Sequence, residues 1–147
     1  MITEINPSKA KQLIKNSKNK ESLIVQSQTH EFNRSVLEYG KFSALLFPNI
    51  KIKTQRKLKT IDSGLDRVSA KAASKNKVAI LYDLSLLKNI NKKSLAIELE
   101  KLMEIIRLCR KNDVKFKLLN YKNDKNAFAF LTSLKASSQQ AKQALSF

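Results

Sequence analysis

The sequence predicts an α/β fold in which short strands alternate with helices. Segments with apolar residues at steps of three and four alternate with short aliphatic runs, as is typical of α/β proteins. An Ala-rich helical pattern ending at Asn76 leads directly into the apolar run 78–82, and a helix followed at once by such a strand is half of a βαβ unit. The 147 residues suffice for a single core, and we assign residues 1–147 to one domain.

The first half of the chain reads as helix, strand, helix, strand. Asn6 or Ser8 caps the first helix, with Pro7 in its first turn. Thr29 caps the second helix, and Gly40 ends it because glycine adopts positive φ without steric cost. The predicted elements are a helix over 7–15, a strand over 22–28, a helix over 30–39 and a strand over 42–47.

In the second half, capping patterns mark two helices. Ser63 with Asp66 three residues on is a loose capping box, and the helix that follows turns Val68 inward. Ser137 with Gln140 is a better capping box for a final helix. The predicted elements are a helix over 63–76, a strand over 78–82, a short helix or turn over 85–90, a helix over 93–111, a strand over 114–119, and helices over 127–134 and 137–145.

The charge balance is strongly basic. With 29 Lys and Arg against 12 Asp and Glu, the net charge is +17, which predicts salt-dependent attraction to polyanions, RNA or DNA ahead of acidic membranes. The single cysteine, Cys109, excludes an internal disulfide, and we expect a buried packing thiol in the reducing cytoplasm. No signal-peptide pattern is apparent and no apolar run reaches the roughly 18 residues of a membrane span, so we expect no membrane partner.

The segment 50–59 is predicted to be an exposed basic loop or arm. It follows the carboxyl end of a strand, where α/β barrels place their working loops. Its cations, with no acid among them, repel one another unless phosphates neutralise them, so we predict that this segment binds RNA. The predicted RNA-binding residues of the segment are Lys51, Lys53, Arg56, Lys57 and Lys59.

A second group of cations is also predicted to bind RNA. They belong to the helix before the strand 78–82 or come after the carboxyl end of that strand. Aromatic residues are few, so contacts with the RNA backbone and shape are favoured over base stacking, with Tyr82 and Tyr121 as exceptions to test. The predicted RNA-binding residues of this group are Arg67, Lys71, Lys88, Lys92 and Lys93.

Side chains for metal-dependent hydrolysis are scarce. A metal hydrolase needs several His, Asp or Glu residues converging on one edge, and the single histidine, His30, is expected at the surface or in a helix cap. Asp62 and Asp83 lie at strand ends, where they serve either as a helix cap and a turn residue or as parts of one site. We therefore assign no catalytic residue and no metal ligand.

The stretch 62–80 resembles the signature of the archaeal ribonuclease P protein component 3, the counterpart of the thirty-kilodalton subunit of eukaryotic ribonuclease P. The resemblance extends from about residue 6 to residue 147 and includes Asn33-Arg34, whereas Asp66-Arg67 stands where the family has Asn-His. The matching residues of the signature are Asp62-Ser63-Gly64-Leu65, Val68, Ala70-Lys71, Ala73-Ser74-Lys75-Asn76 and Val78-Ala79-Ile80.

The resemblance implies a reduced or partial TIM-barrel-like (PHP-like) fold. The family is longer, and about its first two strands and their helix have no counterpart here. The sequence pattern supports four strands, or five if the weak alternation at Ile50 and Ile52 is counted, whereas a closed (β/α)₈ barrel needs eight. We therefore expect a protein partner to cover the apolar edge of the sheet.

The resemblance also implies a subunit of ribonuclease P, the ribonucleoprotein endonuclease that removes the 5′ leader from precursor tRNA. In that family the RNA and its Mg²⁺ carry the catalysis, and the protein itself binds no cofactor. The implied partners are ribonuclease P RNA, precursor tRNA and the small ferredoxin-like ribonuclease P protein, in a heterotetramer in the archaeal cytoplasm. Two alternatives stay open: a general structured-RNA-binding protein, for example a ribosome-associated one, and a degenerate PHP-like phosphoesterase that uses Asp62 and Asp83.

Overall fold

A computed structural model describes residues 1–52, 56–57 and 60–146, with the backbone alone described at Arg56, Lys57 and Thr60. A short 3₁₀ helix, Leu84–Leu87, lies among the longer elements. The helices are α1 (Pro7–Asn16), α2 (His30–Tyr39), α3 (Arg67–Lys75), α4 (Lys92–Lys111), α5 (Asp124–Ser133) and α6 (Ser138–Leu145). The strands are β1 (Ile24–Gln26), β2 (Ala44–Phe47), β3 (Arg56–Lys57), β4 (Thr60–Ile61), β5 (Ala79–Asp83) and β6 (Phe116–Leu119).

Four strands form one parallel sheet in the order β1-β2-β5-β6, which confirms the α/β prediction. Val25 of β1 is in register with Leu45 of β2, and Leu45 with Ile80 of β5. Ile80 is in turn in register with Phe116 of β6, and all four side chains are buried, as in a parallel sheet covered on both faces. Because the strands point the same way, their carboxyl ends meet at one edge, which we call the carboxyl edge.

The first two helices begin and end where their capping residues predict. The Oδ1 of Asn6 accepts hydrogen bonds from the backbone N–H groups of the first turn of α1. The hydroxyl oxygen of Thr29 accepts one from the Phe32 N–H at 3.2 Å, and Gly40 ends α2 with a φ of 69°. The predictions for these two helices are therefore confirmed.

The predicted capping box of Ser63 with Asp66 is wrong. Asp66 is itself the N-cap: its Oδ1 accepts from the Ser69 N–H at 2.7 Å, and the Ser69 hydroxyl oxygen accepts from the Asp66 N–H at 2.8 Å. Helix α3 therefore begins at Arg67, and Ser63 lies in the preceding turn. The buried face of α3 consists of Ser69, Ala70 and Ala73, so Val68 faces outward and is 47% exposed, and its predicted inward orientation is also wrong.

The strands are shorter than predicted, and the basic segment is not entirely a loop. The predicted strand 22–28 reduces to the three residues of β1, and Leu23 and Ser27 on either side each make a backbone hydrogen bond with the β2 segment, Leu23 to Ser43 and Ser27 to Leu46, outside the paired register. Within the segment 50–59, β3 pairs antiparallel with β4. Residues 53–55 and 58–59 lie outside the described residues, so the predictions for them are not tested.

The longest helix, α4, packs an apolar stripe into the core. Leu102, Ile105, Ile106 and Cys109 are all buried there. Burial raises the pKa of the Cys109 thiol, and the prediction of a packing thiol is confirmed. Neither α4 nor any other helix in the described ranges is long and apolar enough to cross a membrane.

Candidate nucleic-acid interface

A buried asparagine joins two loops at the carboxyl edge. Asn33, near the start of α2, is fully buried; its Oδ1 accepts from the Gln28 N–H at 2.8 Å, and its Nδ2 donates to the Gly64 carbonyl at 2.9 Å. Gly64 has a φ of 84°, and a Cβ there would lie 3.0 Å from Asn33 Nδ2. Glycine permits both the backbone angle and the close approach. The loop after β1 is thus fixed against the turn before α3.

A second amide fixes the loop after β2 against the loop after β1. The Nδ2 of Asn49 donates to the Ser27 carbonyl at 2.7 Å and to Gln28 Oε1 at 3.0 Å. The Oδ1 of Asn49 accepts from the Lys51 N–H at 3.2 Å, which orients the beginning of the basic segment. Three loops at the carboxyl edge are therefore held by buried or half-buried hydrogen bonds, and they form a preorganised surface.

The histidine lies between two carboxylates at the same edge. His30 Nε2 is 2.9 Å from Asp66 Oδ2, and His30 Nδ1 is 3.6 Å from Asp62 Oδ1. Burial by itself raises the pKa of Asp66, but hydrogen bonds from Ser69 and the proximity of His30 bring the pKa below its ordinary value. Within the described ranges, no group of three or more His, Cys, Asp and Glu residues is placed to hold a metal ion.

The second strand-end carboxylate, Asp83, has structural partners of its own. Its Oδ1 accepts from the Ser85 N–H at 2.9 Å and from Asn120 Nδ2 at 2.8 Å. Burial raises the pKa of Asp83, but these hydrogen bonds and one from the Ser85 hydroxyl lower it below its ordinary value. Asp83 thereby caps the 3₁₀ helix and joins the loops after β5 and β6, so the predicted turn role is confirmed.

Three predicted RNA-binding cations occupy the starts of helices at the carboxyl edge. Lys92 and Lys93 are the first two residues of α4, and Arg67 is the first residue of α3. All three are exposed. The start of α4 has no acidic residue, whereas the start of α3 already has the Asp66 carboxylate as its N-cap. A cation at the positive end of a helix dipole costs about 0.3–1 kcal/mol at low salt. The placement becomes favourable when an anion binds there.

The remaining predicted cations divide into exposed residues and residues that the structure does not describe. Lys51 follows β2 and Lys88 follows the 3₁₀ helix, so both lie on loops at the carboxyl edge, and both are exposed. Lys71 is exposed one turn further along α3. The side chains of Arg56 and Lys57 and the whole of Lys53 and Lys59 lie outside the described residues, and their RNA contacts stay predictions.

The two tyrosines named as exceptions to test for base stacking have different surroundings in the structure. Tyr82 is fully buried in β5, so its predicted role in base stacking is wrong. Burial, reinforced by the carboxylate of Glu98, raises the pKa of the Tyr82 phenol, which therefore stays protonated. Tyr121 is half-buried, and its hydroxyl donates to the Leu145 carbonyl at 3.0 Å.

The sequence reasoning missed a buried ion pair on α4. Glu98 and Lys101 are 7% and 8% exposed, and Lys101 Nζ lies 3.1 Å from Glu98 Oε1. A signal was present, because Glu98 is in helical register with Leu95, Leu102 and Ile105, on the apolar side of α4.

Comparisons with known proteins identify the fold. No family model matches the chain, and no curated protein matches it. The fold matches a chain in the cryo-EM structure of archaeal ribonuclease P with mature tRNA, with a TM-score of 0.76 and 24% sequence identity. The fold is shared with that chain. The match covers 97% of this chain and 61% of the archaeal one, so this chain spans about three fifths of its length.

Proposed function

We propose that this protein is a subunit of ribonuclease P and that it binds RNA through the carboxyl edge. The carrying observation is that Arg67, Lys92 and Lys93 are exposed at helix starts on this edge. At α4, which has no acidic residue at its start, bound phosphates offset the unfavourable interaction of Lys92 and Lys93 with the helix dipole. Lys51 and Lys88 add exposed charge on neighbouring loops. The sequence resemblance over 62–80 and the fold shared with a chain of archaeal ribonuclease P support this ribonucleoprotein as the setting.

The protein's role in this proposal is electrostatic and architectural. Neutralising RNA phosphates lowers the concentration of cations that the catalytic RNA needs to hold its active fold. Catalysis, the removal of the 5′ leader from precursor tRNA, stays with the RNA and its Mg²⁺, and the protein binds no cofactor. We extend the interface along α3 to Lys71 and along the basic segment to Lys53, Arg56, Lys57 and Lys59.

The proposal includes a protein partner. A four-stranded parallel sheet is half of the eight-stranded sheet of a TIM barrel, and the chain spans 61% of the archaeal chain with which it shares its fold. We infer a partial, PHP-like barrel in which the open edge of the sheet needs a covering chain. The small ferredoxin-like ribonuclease P protein is the proposed partner, in a heterotetramer in the cytoplasm.

One observation favours a general structured-RNA-binding protein as the second candidate. Exposed lysines also precede the strands, at the edge of the sheet opposite the carboxyl edge, and a protein that binds RNA without selectivity uses charge on many faces. They are Lys18, Lys20, Lys77 and Lys115. We do not propose a phosphoesterase, because both carboxylates already have partners within the protein. Asp62 forms an ion pair with His30 and accepts a hydrogen bond from the Gly64 N–H, while Asp83 accepts hydrogen bonds from Ser85 and Asn120.

Competition binding distinguishes the two candidates. The full chain is bound to labelled ribonuclease P RNA at near-physiological salt, and either unlabelled ribonuclease P RNA or a ribosomal RNA fragment of equal length is added as competitor. We expect the ribonuclease P RNA to compete at least about tenfold better, because shape recognition adds to the charge term that both RNAs share.

Equal competition by the two RNAs at every salt concentration would contradict the ribonuclease P assignment and favour the general binder. Repeating the competition at low salt is the control. There the two RNAs should differ less as competitors, because non-specific phosphate contacts strengthen as the salt concentration falls.

A further inference from the structure

A groove lined by isoleucines runs between the loop after β2 and the beginning of α4. Its volume is about 410 Å³, and Ile50 and Ile52 lie on one side while Ile90 and Ile97 lie on the other. Ile50 is 46% exposed, and the other three are half-buried. Exposed apolar side chains gathered in a depression with a polar rim mark binding grooves. We call this depression the isoleucine groove.

The most buried residues of the isoleucine groove are the ion pair Glu98 and Lys101. An ammonium group has three donors and a carboxylate has about four acceptor sites. In the described part of the chain, each of the two side chains has a single hydrogen-bond partner, which is the other member of the pair. Buried charges with unfilled hydrogen-bonding capacity are unfavourable, so a polar occupant is stabilised beside them.

Two further polar groups lie on the other side of the same pair. Glu98 and Lys101 also line a smaller cavity of about 40 Å³, together with Ser27 and Tyr82. The hydroxyls of Ser27 and Tyr82 are fully buried and have no hydrogen-bond partner among the described residues. The ion pair therefore borders both the groove and a cavity with hydroxyl groups that the described residues do not satisfy, which points to a hydrogen-bonding occupant beside the pair.

The rim of the isoleucine groove is positively charged. Each rim lysine is within three residues of an isoleucine that lines the groove, and each is exposed. The sequence from residue 84 to residue 97 contains no aspartate or glutamate. The occupant should therefore carry negative charge on both sides of an apolar centre. The rim lysines are Lys51, Lys88, Lys92 and Lys93.

We propose that the isoleucine groove binds one unpaired nucleobase of RNA. The inference rests on the proposed function, which supplies RNA as the partner. The apolar faces of the base pack against the isoleucines, its hydrogen-bonding edge meets Glu98 and Lys101, and the flanking phosphates meet the rim lysines. Guanine is the probe of choice, because its N1–H and N2–H donors suit a carboxylate and its O6 suits an ammonium group.

The test compares two RNA hairpins that differ by one base. The first carries a bulged guanosine and the second an abasic nucleotide at the same place, so the phosphates are identical. We expect the full-length protein to bind the guanosine hairpin about tenfold more tightly, because burial of the apolar faces of one base and charge-assisted hydrogen bonds to its edge have at least that order of effect. Ile50→Ala should remove most of the difference.

The matched control is Val68→Ala, because Val68 is an aliphatic residue that is 47% exposed and lies outside the groove. It should leave the tenfold difference unchanged, and thermal unfolding of both variants checks that neither disturbs the fold. Glu98→Gln, which removes the charged acceptor, should weaken binding of the guanosine hairpin and leave binding of the abasic hairpin unchanged.

The outcomes separate this inference from the proposed function. Equal, salt-dependent binding of the two hairpins overturns the base-binding groove and leaves RNA binding through the carboxyl edge standing. Equal losses in Ile50→Ala and Val68→Ala also overturn the groove. If neither hairpin binds at low salt, both the groove and the RNA-binding function are overturned.

Discussion

Neutralising four lysines at the carboxyl edge should lower RNA affinity by about a hundredfold or more at near-physiological salt. The quadruple variant replaces Lys51, Lys88, Lys92 and Lys93 by glutamine. The logarithm of the affinity falls as the logarithm of the salt concentration rises, and each phosphate contact contributes about 0.7–0.9 to the steepness of this line. Losing four contacts should therefore make the line shallower by about 3. Electrophoretic or fluorescence titrations with ribonuclease P RNA at several salt concentrations measure both quantities.

A control variant with the same change in charge locates the effect. Lys18, Lys20, Lys77 and Lys115 precede strands, so they lie at the opposite edge of the sheet, and all four are exposed. Replacing them by glutamine should reduce the RNA affinity and its salt dependence much less than the first variant does. Equal losses in the two variants would mean that net charge, and not the carboxyl edge, determines binding.

Replacing Asn33 by leucine should destabilise the fold by about 2–4 kcal/mol. The two side chains are similar in size, but leucine leaves the Gln28 N–H and the Gly64 carbonyl, which Asn33 now binds at 2.8 and 2.9 Å, without their partners in the interior. Burying unsatisfied backbone groups has a cost of about 1–3 kcal/mol each, partly relieved when the loops move toward water. Denaturant unfolding followed by circular dichroism measures the loss.

The control for this prediction is Asn126→Leu, because Asn126 is exposed in the first turn of α5. It should change the free energy of unfolding by no more than about 0.5 kcal/mol. A cost below about 0.5 kcal/mol for Asn33→Leu would show that the loops at the carboxyl edge are not held by this side chain. Such loops would be poorly preorganised to bind RNA.

The local elements of the fold could be predicted because their signals are local. Thr29 and Gly40 bound α2 by side-chain and backbone preferences that act within one turn, and the structure has the predicted bounds. The strand β1 is shorter than predicted because buried parallel strands lack the apolar–polar alternation that marks strand ends. The start of α3 was predicted too early because Ser63 and Asp66, three residues apart, are both good capping types and the sequence favours neither.

The site could be predicted only where it depends on charge. Lysines and arginines are recognisable from composition, and the predicted RNA-binding residues whose side chains the structure describes are exposed as expected. The bond between Asn33 and Gly64 joins residues 31 positions apart, and no local pattern announces it. The burial of Tyr82 could not be predicted, because a tyrosine in an apolar strand fits either a buried or an exposed face of the sheet until the neighbouring elements are known. The helical register of Glu98 indicates its burial, but its position beside the loop after β2 depends on how α4 packs against that loop.

Cleavage of precursor tRNA at low Mg²⁺ tests the central claim most directly. The cognate ribonuclease P RNA is assayed with the small ferredoxin-like ribonuclease P protein, with and without this chain. The account predicts that the wild-type chain lowers the Mg²⁺ concentration needed for half-maximal cleavage, and that the variant with Lys51, Lys88, Lys92 and Lys93 replaced by glutamine does not. A chain that binds the RNA tightly yet leaves the Mg²⁺ requirement unchanged would contradict the assignment to ribonuclease P.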